Sequence, residues 1–322
     1  MKNLRFIKIG ILFLALLLSC SKATEPVIIP PGENPGGGGS DKFIRQTLTS
    51  SYIEFRTGNY PLIITVPHGG TLTDASLTLR TTSNCPDPEF TTVYDTNTPE
   101  LAEMIDSVVF ARTGKYPYVI FCRLKRTYID VNRSIDYAIP RGNAAAKSIY
   151  DKFYSYIDQS KSLIFAKYGS GLLIDIHAHG HDKQEVEIGY QLSTSQLNLS
   201  DTEIDNSNLA GQSGIYNLYK TVSAKQSFSQ ILRGDNSFGT LLQTNGIACI
   251  PNKSNPSPGT TAYFSGGYIT KSSGSGSGGT IDAIQLEFNR DSRNDSKVRK
   301  NTAEQLVKAT ELFFNLNYNF KQ

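Results

Sequence analysis

Two short runs rich in β-branched residues, Leu62-Ile-Ile-Thr-Val66 and Leu172-Leu-Ile-Asp-Ile176, each deliver a histidine just past their end. Runs of this length and composition form strands buried on both faces of a parallel sheet. Parallel strands need long crossover connections, and the sequence supplies them as helix-like stretches between strand-like ones. Strands are predicted near 62–66, 117–123, 172–177, 185–191, 247–251 and 281–288. A helix is predicted from Pro99 to Ala111, with Leu101, Met104, Ile105, Val108 and Val109 on one face. A longer one runs from Asn143 to Tyr168, burying Ile149, Phe153, Ile157 and Ile164, and ends at Gly169-Ser-Gly171. A last helix starts near Thr302-Ala-Glu-Gln305, a capping-box pattern, and buries Leu306 and Phe313. The fold class that follows is α/β: three layers, α/β/α, around a mixed, mostly parallel sheet. Asn198–Gly214 and Pro251–Gly279 show no such periodicity and read as loops at the rim of a pocket, although Ser272–Gly279 reads equally well as a flexible stretch.

The chain has 322 residues and four histidines, His68 in Pro67-His-Gly-Gly70 and His177, His179 and His181 within five positions. Imidazole is the commonest neutral ligand for zinc, and ligands collect at the carboxyl ends of strands in open α/β sheets. The two segments therefore predict a metal site; the plainer alternative is that the histidines cap strands or decorate a loop. Asp95, just before the helix at Pro99, is a candidate third ligand that leaves an open position for water. Asp175 and Asp182 are its rivals, and helix capping is its plain alternative. Glu287 ends the apolar run Ile281–Phe288, where a carboxylate is costly unless it is paired or lies in a cleft, and a positioned glutamate is the usual general base for water in zinc hydrolases. A salt bridge to Arg290 or Arg293 is the other reading. The segment Arg123-Leu-Lys-Arg-Thr-Tyr-Ile-Asp-Val-Asn-Arg133 sets four cations around Asp130, so that Arg126 and Arg133 could stabilise an oxyanion or hold an acidic substrate, or form a solvated basic loop. By strand periodicity His179 and His181 share the side of His177 and join the pocket wall, with Glu185 or Glu187 nearby.

Taken together, Pro67-His-Gly-Gly70, Asp130-Val-Asn-Arg133, Asp175-Ile-His177 and Gln285-Leu-Glu-Phe-Asn-Arg290 occur in the order found in N-formylglutamate amidohydrolase-like proteins. The chain resembles that family from about 60 to 295, and Arg233–Gly239 and Tyr263–Tyr268 also resemble segments of one of its subgroups. The family is similar in fold to the zinc carboxypeptidases. The resemblance implies zinc, one ion per chain, bound by His68, Asp95 and His177, water activation by Glu287, and a substrate carboxylate met by Asn132 and Arg133; Arg126, from its place in the cation cluster, is expected in the catalytic machinery. His179, His181 and Arg290 complete the expected substrate-binding set. Two departures stand out: residue 71 is Thr, so the carboxypeptidase His-x-x-Glu pair is absent, and no histidine occurs in Ile269–Gly276.

The first twenty residues have a basic start (Lys2, Arg5, Lys8) and an apolar core from Ile9 to Leu18 too short to span a bilayer. Leu17-Leu-Ser-Cys20 resembles the lipobox of bacterial lipoproteins, in which the cysteine is acylated. The expected organisation is a signal peptide over 1–19, a Pro/Gly/Ser-rich tether from acylated Cys20 to residue 42, and one catalytic domain over 43–322. The expected location is the bacterial cell envelope, lipid-anchored at the outer membrane. For an exported enzyme a carboxylate-bearing peptide, cell-wall fragment or other N-acyl amino acid is a better-placed substrate than N-formylglutamate. A net charge of +3 without a basic stripe gives no reason to expect nucleic acid. Beyond Cys20 only Cys85, Cys122 and Cys249 remain, allowing at most one internal disulfide, and the last two sit in apolar runs that suit buried thiols. Two other functions stay open: a non-catalytic lipoprotein that binds peptides or glycans, and a metal-dependent esterase or deacylase.

Overall fold

The computed structural model describes residues 43–321, so the predicted signal peptide, Cys20 and tether lie outside the described residues. From Arg45 onward the chain forms one unit. Its strands are β1 (Thr47–Ser50), β2 (Ile53–Arg56), β3 (Leu62–Val66), β4 (Tyr118–Cys122), β5 (Leu172–Ala178), β6 (Val186–Gly189), β7 (Cys249–Ile250) and β8 (Asp282–Phe288). They build one sheet in the order β1-β2-β4-β3-β5-β8-β6-β7. The central strands β4, β3, β5 and β8 run parallel, as do β6 and β7, while β1–β2, β2–β4 and β6–β8 are antiparallel. This is the mixed α/β sheet expected from the sequence, with one addition: the hairpin β1–β2 at the edge. Its outer strand, Thr-Leu-Thr-Ser, is partly exposed along its length and carries no apolar stripe to announce it.

Strand alternation sorts the central sheet into two unlike faces. Leu62, Ile64 and Val66 of β3, Leu172, Ile174 and Ile176 of β5 and Ile284, Leu286 and Phe288 of β8 share one hydrophobic core with Leu101, Ile105 and Val109 of the helix Thr98–Thr113 and Leu306 and Phe313 of the helix Ser296–Asn317. The helix Ala144–Tyr168 packs on β2, β3 and β4, where Phe55 stacks on Tyr156 with ring centroids 4.5 Å apart. On the intervening positions the carboxyl ends of the strands turn polar. Register places Thr65 beside Asp175, Asp175 beside Gln285, His177 beside Glu287, and Glu287 beside Glu187 of β6.

Three local expectations are corrected. The last helix begins at Ser296, capped by the Asp295 carboxylate accepting from Lys297 N and Val298 N, because its first turn is polar and shows no apolar periodicity. Asn198–Gly214 contains the helix Asp201–Asp205, held by a capping box between Ser200 and Glu203, and further short helices follow at Tyr216–Val222, Phe228–Arg233 and Phe238–Thr244. Ser272–Gly279 is neither a pocket rim nor a flexible stretch: Ser273 and Ser275 are buried, and Ser275 Oγ donates at 2.6 Å to Asp282 at the amino end of β8, away from the carboxyl ends of the strands. Among the described residues no helix is long and apolar enough to cross a membrane, and Cys85, Cys122 and Cys249 are buried free thiols.

Candidate metal centre and active site

The turn after β3 carries His68, and the two glycines behind it let the chain pass close to its neighbours. A Cβ on Gly69 would meet Pro99 Cδ at 2.4 Å, so this position admits nothing larger than glycine while the helix at Thr98 stays where it is. That packing brings in Asp95, whose backbone N–H donates to His68 O at 3.0 Å. Asn97, in a left-handed conformation, takes the N-cap position of that helix without a side-chain hydrogen bond, and the Asp95 carboxylate lies two residues before it. His177 arrives from the end of β5. One ligand atom from each of His68, Asp95 and His177 lies within 4.8 Å of the others, and all three residues are buried.

The outer nitrogens of both imidazoles are fixed by carboxylates. His68 Nε2 lies 2.6 Å from Asp130 Oδ1, and His177 Nε2 lies 2.8 Å from Asp175 Oδ2, itself held through Thr65 Oγ1 donating to Asp175 Oδ1 at 2.6 Å. An ionised carboxylate only accepts, so each Nε2 carries the proton and each neutral ring turns the Nδ1 lone pair inward. The inward Nδ1 atoms of His68 and His177 stand 3.6 Å and 3.1 Å from the same oxygen, Asp95 Oδ2. His68 Nδ1 is buried without a hydrogen-bond partner. Two lone pairs and a carboxylate oxygen converging in a buried space repel one another unless a proton or cation stands between them. Two nitrogens and one oxygen, each backed by a second group, form a donor set that suits zinc. Of the rival third ligands, Asp175 sits behind His177, and Asp182 is exposed.

The electrostatics agree with a site short of positive charge. Burial works to raise the Asp95 carboxyl, but hydrogen bonding and electrostatic attraction to His177 and His68 hold it well below the usual carboxylate range. Burial disfavours an imidazolium at His177, yet Asp175 and Asp95 outweigh it and push that ring well above its ordinary value. Glu287 moves the other way: burial first, then the nearby carboxylates Asp95, Glu187 and Asp175, push it up to about 8 despite His177. Its Oε1 accepts from Gln285 Nε2 at 2.8 Å.

These groups line a cavity of about 1010 Å³ together with Arg126, Asn132, Arg133, His179, His181, Lys271 and the segment Tyr263–Tyr268. Arg126 is committed to Asp130 Oδ2 at 2.8 Å and Val93 O at 3.1 Å. Arg133 reaches Asp87 Oδ2 at 2.8 Å and Glu89 at 3.4 Å, so its charge is partly met before any ligand arrives. Asn132 Oδ1 accepts from Ile269 N at 2.8 Å, which sets Nδ2 beside the His177 ring, 3.2 Å from Nε2. Arg290 is exposed and lies outside the cavity lining. Arg293 is buried, donating to Thr96 O at 2.9 Å and Thr96 Oγ1 at 2.6 Å. His179 donates from Nε2 to Glu185 O at 2.8 Å, and His181 Nδ1 pairs with Glu187 Oε1 at 2.6 Å. Sequence reasoning passed over Asp87, Gln285 as the partner of Glu287, and Gly267, whose N–H donates to Gln285 Oε1 at 2.7 Å. Only for Gln285 was there a signal, its position two residues before Glu287 on the same strand face.

No family model matches the sequence, and no curated protein does. Solved structures similar to the chain include an N-formylglutamate amidohydrolase from Ralstonia eutropha JMP134, 11% identical, with 83% of this chain and 98% of that one covered and a TM-score of 0.46. The gene product Atu2144 from Agrobacterium tumefaciens is also 11% identical, with 83% and 96% covered and a TM-score of 0.44. The chemistry of the site rests on its own residues.

Proposed function

We propose that this chain is a zinc-dependent hydrolase of C–N amide bonds, acting on a carboxylate-bearing N-acyl amino acid, peptide or cell-wall fragment. The observation that supports it most is the unpartnered Nδ1 of His68 aimed at the oxygen shared with His177, in one cavity with a buried glutamate of raised pKa. His68, Asp95 and His177 would hold the metal. A zinc ion there supplies Lewis-acid polarisation of a water or carbonyl oxygen. Asp130 and Asp175 keep the two imidazoles in the tautomer and orientation that binding needs. Glu287 would take a proton of the attacking water on its carboxylate and return it to the leaving nitrogen, the role of a positioned general base. Gln285 holds that carboxylate in place. Arg126, fixed by Asp130, adds positive field where an oxyanion develops, and Arg133 and Lys271 are the cations at the cavity wall available to a substrate carboxylate. Export and anchoring through Cys20 belong to the same proposal and set the substrate class.

The test is zinc content together with hydrolysis of a panel of N-acyl amino acids, dipeptides, muropeptides and the matching esters, with and without chelator. The reading requires stoichiometric zinc, chelator-sensitive amide cleavage, and loss of turnover in Glu287→Gln with the metal retained. Tight capture of an amide without cleavage would favour the binding lipoprotein, and cleavage confined to esters would favour a deacylase.

A further inference from the structure

On the far side of Glu287 from the first triad lies a second group with metal-ligand character. One ligand atom from each of His179, His181 and Glu187 falls within 4.8 Å of the others. The His179 and Glu187 side chains are 0% and 5% exposed, and that of His181 is 24% exposed toward the cavity. We propose that these three residues bind a second divalent cation of the zinc class. The proposal concerns ion binding only and stands or falls apart from the amidohydrolase reading.

Each member is oriented by a group that is no part of the triad, two of them by backbone atoms and the third by an aromatic ring. His179 Nε2 donates to Glu185 O at 2.8 Å, which leaves the lone pair on Nδ1, 3.9 Å from Glu187 Oε1. Glu187 Oε2 accepts from Phe264 N at 2.7 Å, which turns Oε1 toward the two imidazoles. His181 is held by stacking on the Phe264 ring, with centroids 4.7 Å apart and planes 15° from parallel. Pre-orientation of donors by outer hydrogen bonds is what metal sites share and what incidental polar clusters lack. Two imidazole nitrogens with one carboxylate oxygen suit zinc, cobalt or nickel, whereas calcium and magnesium take oxygen ligands.

Two hydrogen bonds link members of the triad: His181 Nδ1 to Glu187 Oε1 at 2.6 Å, and His181 N to His179 Nδ1 at 3.1 Å. Binding replaces both, and it needs His181 protonated on Nε2 so that Nδ1 is free to coordinate. Charge favours the exchange. Glu187 and Glu287 are register partners, so two carboxylates are buried side by side, and a cation on the Glu187 side offsets their repulsion. The cavity would then hold one cation on each side of Glu287.

The experiment is a metal count on the full chain, stripped with chelator, loaded with Zn²⁺ and desalted, with Co²⁺ absorption as a second readout and circular dichroism as the folding control. The wild type is expected to retain two equivalents. His181→Ala and Glu187→Gln should each lose one and change the Co²⁺ spectrum, while His68→Ala should lose the other. His181→Asn serves if His181→Ala is unfolded, since the side chain is partly exposed. Folded His181→Ala and Glu187→Gln chains that keep the wild-type count overturn the proposal. A single equivalent lost in His68→Ala but kept in His181→Ala sinks this site and leaves the first intact. A single equivalent lost in His181→Ala but kept in His68→Ala does the reverse.

Discussion

The two ends of the central sheet both bury carboxylates, and they treat them in opposite ways. At the amino end of β8, Asp282 is 1% exposed beside a cavity of about 500 Å³. Its Oδ1 accepts from Ser275 Oγ at 2.6 Å and Leu218 N at 3.3 Å, and its Oδ2 from Tyr318 OH at 3.0 Å. Every oxygen there has a donor supplied by the fold. At the carboxyl end, Asp95, Asp130, Asp175, Glu187 and Glu287 crowd with the four imidazoles along β5, β8 and their neighbours, and His68 Nδ1 has no partner. Burial of a charged group is common to both ends. What separates them is donor and acceptor capacity left over: both Asp282 oxygens have donors, while at the other end His68 Nδ1 has no partner.

The largest expected difference is catalytic. Glu287→Gln should lower amide hydrolysis by about 10²- to 10⁴-fold, the usual contribution of a positioned general base, with zinc retained. Asp282→Asn should leave turnover within a few-fold of the wild type once both are folded. Equal losses in kcat/KM for the two variants would erase the distinction between the ends.

Next in size is the pH dependence of stability at the amino end. Burial pushes the Asp282 carboxyl from 3.8 up to about 6, against the pull of its hydrogen bonds. Between those values the folded chain keeps a proton that the unfolded chain has released, so stability falls as pH rises through that window. A shift of that size corresponds to about 3 kcal/mol, fully present below the lower value and lost above the upper. Urea midpoints measured across the window should therefore decline more steeply for the wild type than for Asp282→Asn, which has nothing to titrate. Parallel curves would mean that Asp282 is not the group responsible.

Metal binding follows. Zinc at a free concentration a hundred times its Kd should stabilise the stripped wild type by about 2.7 kcal/mol, read as a rise in thermal midpoint. Asp282→Asn should keep most of that gain. His68→Ala should lose the part due to the first triad, and an undiminished gain in His68→Ala would remove that triad from the metal's binding site.

Much of this contrast was legible in the chain. Leu-Ile-Asp-Ile-His and Ile-Gln-Leu-Glu-Phe show polar residues at every second place inside otherwise apolar runs, which is how a strand buried on one face announces chemistry on the other. His177 and Glu287 could be picked out on that basis, His68 from its place just past the run Leu62–Val66, and Asp95 from its place just before the helix at Pro99, along with the strands and the helix over Ala144–Tyr168. The short helices between β6 and β7 were passed over although Ser193-Thr-Ser-Gln196, Ser200-Asp-Thr-Glu203 and Ser227-Phe-Ser-Gln230 are capping-box sequences, all three formed in the structure. They were hidden by their brevity, since four to six residues show no helical period. The partners of Arg133 were hidden by distance: Asp87 lies 46 positions away, on a segment with no regular structure. Local pattern carries information about faces and caps, and pairings closed by tertiary folding leave no such trace.

Gly267 is the clearest case of that second kind, and it gives the smallest and most local test. The segment Tyr263–Tyr268 lies across the carboxyl end of the sheet, where Gly267 N donates to Gln285 Oε1 at 2.7 Å and Gly267 O accepts from Gln191 Nε2 at 2.8 Å. A Cβ on Gly267 would stand 2.2 Å from Asn132 Nδ2, the amide that faces His177. Gly267→Ala must therefore displace either the Asn132 side chain or the segment itself, at a cost of about 1–2 kcal/mol, toward the low end for overpacking because a loop yields more easily than a core. Both groups border the cavity, so the same strain should show as a several-fold loss of kcat/KM and a weaker hold on the metal of the first triad. A matched overpacking change at the amino end, Gly171→Ala, whose Cβ would meet Ile164 Cγ2 at 2.5 Å, should cost comparable stability and leave turnover unchanged. If the two alanines lower activity alike, the cavity is sensitive to general loosening of the sheet and not to the seating of Asn132.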